Sequence, residues 1–88
     1  MGGRTTLTQA DLELLVADHI NQQMTAQAIF TAYDVTVGLR DAYPHLHLPH
    51  DSVRGAVHAQ MDAIVKGQLY DRETATFGNN SALRYVPR

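Results

Sequence analysis

The stretch that most constrains this chain lies between two prolines and a glycine. From His50 to about Val65, after Pro44 and Pro49 and before Gly67, the residues Val53, Ala56, Val57, Met61 and Ile64 recur at steps of three and four. That spacing lays one apolar stripe along a helix, and the stripe has to be buried against another element. Pro49 fixes φ where the helix opens, and Gly67 stands in the position of a C-terminal cap. Beyond Gly67 the period changes. Leu83 and Tyr85 alternate with Ala82, Arg84 and Val86, and the Gly78-Asn79-Asn80-Ser81 cluster before them suits a hairpin turn. The strands are expected over Gln68 to Phe77 and Ala82 to Val86.

Two further helices are marked by their starts. Thr8-Gln-Ala-Asp11 and Thr31-Ala-Tyr-Asp34 each place a hydroxyl at an N-cap and a carboxylate three residues on, the capping-box spacing with Asp for Glu. In the first helix Leu12, Leu15, Val16 and Ile20 form the buried face; it is expected to fade in the polar Asn21-Gln22-Gln23, and whether Met24 to Ala28 prolongs it is left open. The second runs from Ala32 to about Tyr43, burying Ala32, Val35, Leu39 and Ala42 or Tyr43, and Pro44 stops it. Residues 1–7 are read as a flexible N-terminus and residues 8–88 as a single domain.

A chain of 88 residues supports one core, burying about 60–70% of the surface that the unfolded chain exposes. At 44% hydrophobic and 18% charged it is too apolar for a disordered segment. With no cysteine, disulfides and thiolate zinc sites are excluded. No apolar run approaches the roughly 20 residues of a membrane span, and residues 1–7 lack the apolar centre of a secretory signal. A cytoplasmic protein without membrane contact is therefore expected. Catalysis is not: there is no Gly-rich phosphate loop, no G-x-S-x-G and no H-E-x-x-H. Asp18-His19 and His50-Asp51 are helix neighbours pointing about 100° apart, so neither pair forms a relay. No cofactor is expected either.

The order helix, short strand, helix, loop, amphipathic helix, hairpin resembles that of winged-helix (winged helix-turn-helix) DNA-binding domains. Ile29-Phe30-Thr31 looks like the short strand entering the second helix. Ile64-Val65-Lys66-Gly67-Gln68-Leu69 is similar to the end of a recognition helix with the start of the wing sheet, and Leu83-Arg84-Tyr85-Val86-Pro87 to its closing strand. The likeness spans about residues 8–87. It implies an α+β fold of three helices with a small antiparallel hairpin wing, and double-stranded DNA as the partner in transcriptional or replication control. The third helix would enter the major groove and the wing would lie on the backbone. The alternative under the same fold is a protein-interaction or dimerisation module without DNA binding.

On that resemblance the third helix offers His50, Ser52, Arg54, Gly55 and His58, with Ser52, Arg54 and His58 as base readers. Thr31 would bring a phosphate to the start of the second helix. In the wing, Arg72 and Arg84 would clamp the backbone, with Asn79 and Asn80 at the tip. The charge balance argues the other way. The net charge is −2, divided as −3 over residues 1–49 and +1 over residues 50–88. Asp51 and Asp62 would repel phosphates, while Asp71 and Glu73 would neutralise the wing arginines in surface pairs worth ~0–1 kcal/mol. His45, His47 and His50 form an H-x-H-x-x-H run of good Zn²⁺, Ni²⁺ or Cu²⁺ ligands, but with Asp51 as the one adjacent carboxylate no metal is assigned to them. Their titration between about pH 5 and 7 would make DNA binding pH-sensitive. His19 is read as a partly buried, satisfied histidine, and Tyr33, Tyr43, Tyr70 and Tyr85 as core-edge residues whose hydroxyls reach water. The first helix with the Met24 region is the candidate homodimer surface.

Overall fold

The computed structural model describes residues 3–88, and all of their side chains except those of Phe77 and Asn80. Its elements run β1 (Thr5–Thr6), α1 (Gln9–Thr25), β2 (Phe30–Thr31), α2 (Ala32–Ala42), β3 (Leu46–His47), α3 (His50–Lys66), β4 (Tyr70–Phe77) and β5 (Asn80–Pro87). The fold is α+β, with three helices packed on a small antiparallel sheet of order β2-β5-β4.

Both threonine caps form. Thr8 Oγ1 accepts from the Asp11 amide at 3.2 Å. At α2 the box is reciprocal: the Asp34 amide donates to Thr31 Oγ1 at 3.1 Å, and the Thr31 amide donates to Asp34 Oδ2 at 2.9 Å. The helix α1 does not fade in Asn21-Gln22-Gln23, and the extension left open beyond it reaches Thr25. Two side-chain pairs one turn apart support the extension: Gln22 Nε2 donates to Asp18 at 3.1 Å, and Gln23 Nε2 to His19 Nε2 at 3.1 Å. The helix then leaves through Gln27 in the left-handed region, φ 52°. In α2 the buried residues are Ala32, Val35, Thr36 and Leu39, while Ala42 is exposed. Pro49 is the N-cap of α3, one position earlier than a first helical residue, and Val53, Ala56, Val57 and Met61 are its buried stripe.

Those three stripes meet the inner face of the sheet. Val16, Val35, Val53, Val57 and Met61 are completely enclosed, as are Phe30 and Tyr85, partners in the β2–β5 register with ring centroids 5.5 Å apart. Burying one side chain of this size contributes about 1.5–3 kcal/mol. Two of the tyrosines, Tyr70 and Tyr85, depart from the sequence reading, while Tyr43 packs half-buried at the core edge. Tyr70 is buried and donates its hydroxyl to the Ala28 carbonyl at 3.0 Å. Tyr85 is wholly buried, and its hydroxyl has no hydrogen-bond partner among the described residues. Both side chains lie across the core because the register β2-β5-β4 aims them at the helices.

The hairpin turn is tighter than the four-residue cluster suggested. Phe77 and Asn80 are paired in register, so Gly78-Asn79 alone make the turn, and Gly78 supplies the positive φ, 63°, that such a connection needs. Asn80 therefore belongs to β5. At the other end Gln68 takes the left-handed conformation, φ 62°, and the strand begins at Tyr70. Where the sequence reading assigned only a flexible terminus and a loop, Thr5–Thr6 lies parallel to Leu46–His47, and the Thr5 amide donates to the His45 carbonyl at 2.9 Å. A two-residue ladder leaves no periodicity to read.

Candidate nucleic-acid interface

A groove of about 350 Å³ separates α3 from the hairpin. Its walls are Ala32 and Tyr33 at the start of α2, His50, Arg54 and His58 on α3, and Ser81, Ala82 and Leu83 on β5. The helix residues are four apart, so they follow one another along one side of α3.

His50 is fixed by the helix behind it. Its Nδ1 lies 2.9 Å from Thr36 Oγ1, which in turn lies 3.0 Å from the Ala32 carbonyl oxygen. Thr36 has one hydroxyl hydrogen, so both bonds form together only if Thr36 donates to Ala32 and His50 Nδ1–H donates to Thr36. In the neutral ring this leaves Nε2 as an acceptor. Tyr33 packs edge-on to the same ring, centroids 5.7 Å apart. His58 is half-buried beside Tyr85, centroids 6.3 Å apart, and burial first, then the Arg54 and Arg72 charges, lower its pKa against the opposing pull of Asp62. Burial raises the Tyr85 pKa, and the Arg72 guanidinium beside it opposes that without reaching hydrogen-bond geometry.

The arginines nominated for DNA all carry carboxylate partners. Arg54 pairs with Asp51 at 3.0 Å, Arg72 with Asp62 at 2.5 Å, and Arg84 with Glu73. Glu73 thus neutralises a wing arginine as expected, whereas Asp71 takes Arg88 at 3.0 Å and Arg72 reaches across to α3. Nor do Arg72 and Arg84 point the same way. Arg72 is registered with Tyr85 and Arg84 with Glu73, successive rungs of one ladder, so the two side chains leave opposite faces of the hairpin.

Thr31 is also differently employed. Its hydroxyl and amide are both taken by the capping box, and the Asp34 carboxylate occupies the helix start where a phosphate would have to come. Ser52 and Gly55 are exposed on α3 outside the groove, and Asn79 is exposed in the turn. The Asn80 side chain lies outside the described residues. The histidine run is dispersed: His45 packs edge-on to Tyr43, His47 sits on β3, and His50 turns to Thr36. Among the described residues no group of three or more His, Asp or Glu side chains is placed to hold a metal ion. His19 is half-buried, accepts from Gln23, and has its pKa lowered by burial against the pull of Asp18.

Tyr33 and Ser81–Leu83, which line the groove, and the buried Thr36, which holds His50 from behind, were missed by sequence reasoning, because they come to His50 and His58 only through the packing of α2 and β5. Among the described residues no helix is long and apolar enough to cross a membrane. Compared with protein-family models, curated proteins and solved structures, the chain matches none of them.

Proposed function

We propose that this chain is a winged-helix module that binds double-stranded DNA, a cytoplasmic binding protein of transcriptional or replication control rather than an enzyme. One observation carries the reading: the short strand before α2 pairs with the last strand, giving the sheet order β2-β5-β4, with the groove between α3 and the hairpin left open. In this reading Arg54, His58 and Ser52 face base edges, while Arg72 and Arg84, which leave opposite faces of the hairpin, each take a separate phosphate rather than clamping one. The ion pairs do not forbid it. Pairs this exposed contribute about 0–1 kcal/mol, so a phosphate can take the place of the carboxylate.

Two or three neutralised phosphates imply a log–log salt slope of about −1.8 to −2.7. The test is anisotropy of a labelled random-sequence duplex titrated at 50 and 200 mM salt. Non-specific binding at low salt should weaken by about 10- to 40-fold at high salt, and Arg54→Ala and Arg84→Ala should each weaken it further. Absence of binding at both salts redirects the search to a protein partner or a second copy. That second reading draws on the exposed apolar side chains Leu14, Ile29, Tyr33, Val37 and Leu69, together with the acidic balance.

A further inference from the structure

Of the six arginines, four are paired with carboxylates. The other two, Arg4 and Arg40, have no ion-pair partner among the described residues, and both line one cavity of about 150 Å³. Its remaining walls are Pro44, Leu46, His47 and Leu48, so it shares no residue with the groove. Each arginine is brought there by a specific contact. Arg40 Nε donates to the Leu48 carbonyl at 3.0 Å, which fixes the plane of the guanidinium and leaves its terminal nitrogens for a two-point contact. Arg4 precedes β1, and the parallel pairing of Thr5 with Leu46 and Thr6 with His47 holds that segment beside the cavity. Two like charges at one small cavity repel each other in a chain whose net charge is negative. An anion between them removes that repulsion.

The geometry points to a binding site for a phosphate dianion, as inorganic phosphate or a small phosphomonoester, between the N-terminal strand and the end of α2. Two guanidinium forks and the His47 imidazole offer more donors than one carboxylate can use, and they match the several acceptor oxygens of a phosphate. The size agrees. A cavity of about 150 Å³ takes a phosphate with a short carbon stem. Pro44, Leu46 and Leu48 supply apolar wall for such a stem. A bound phosphate would tie α2, the 44–48 segment and β1 together, strengthening a two-residue ladder that is weak by itself.

The experiment is thermal unfolding of the full chain in phosphate-free buffer at fixed ionic strength, with inorganic phosphate or glycerol phosphate added. Both should raise the Tm at about 10 mM, and phosphate should slow exchange of the Thr5 amide. Arg4→Gln, which removes no other described hydrogen bond, should abolish the shift, while Lys66→Gln, the same charge change elsewhere, should keep it. A stronger response to glycerol phosphate identifies a monoester ligand, and an equal response identifies phosphate itself. No shift in the unaltered chain, or a shift that survives Arg4→Gln, overturns the site. Duplex binding reads the groove separately: Arg4→Gln should leave it unchanged, and loss of duplex binding in that variant without a phosphate effect would assign the cavity to DNA instead.

Discussion

His19 and Gly38 decide how closely α1 and α2 approach. A Cβ built on Gly38 would stand 2.6 Å from His19 Cε1 and 2.9 Å from Nε2, closer than real contacts allow. Gly38 is therefore needed for the ring and not for backbone freedom. Two effects compete in Gly38→Ala: a helix-propensity gain of about 0.8–1 kcal/mol, and displacement of a ring that accepts from Gln23. The expected outcome is no net gain for the single variant, but stabilisation by about 1 kcal/mol when Gly38→Ala is made in a His19→Ala background. Urea unfolding of the four chains measures the coupling, and equal effects in both backgrounds would mean that the ring moves aside freely. Tyr85 gives a second residue-scale test. An enclosed hydroxyl without a partner lowers stability by about 1–3 kcal/mol. Tyr85→Phe should thus unfold at the same or higher urea concentration than the parent, and a clear loss would show that Arg72 satisfies the hydroxyl in solution.

At the scale of elements, α3 separates stability from binding at one position. A Cβ on Gly55 meets nothing within 4 Å, so Gly55→Ala should stabilise the chain by about 0.5–1 kcal/mol. If a duplex comes close to that face, the same variant should bind DNA more weakly despite its greater stability, which anisotropy and thermal unfolding together would reveal. The element types were legible wherever chemistry is local. Thr8 and Thr31 announced two helix starts, Pro44 a stop, and the alternation about Leu83 and Tyr85 a strand. What failed was governed by contacts between elements or by very short ladders. Gln22 and Gln23 look like a helix end until Asp18 and His19 are seen one turn back, and β1 and β3 together span only four residues. The candidate site was legible as a helix face and unreadable in its pairing. His50, Arg54 and His58 could be nominated from spacing, whereas Arg72 reaching Asp62 depends on how the hairpin lies against α3.

For the whole molecule, two of the half-buried histidines, His19 and His58, link folding to pH. Burial is the leading cause that lowers both the His19 and the His58 pKa below the usual 6.5. A lowered imidazole pKa means that the unfolded chain takes up a proton before the folded one does. Above about pH 6.5 both states carry neutral rings and the full stability is present; as pH falls below that value, only the unfolded state gains protons, and stability declines until the folded pKa values are reached. The two rings sit at different joints, His19 between α1 and α2 and His58 beside Tyr85 between α3 and the sheet. Urea midpoints measured from about pH 7.5 down to about pH 5.5, above the range of ordinary carboxylates, should fall steadily. In the double variant His19→Gln, His58→Gln the decline should be much shallower, because neither replacement titrates. An unchanged slope in that variant would place the acid sensitivity elsewhere in the chain.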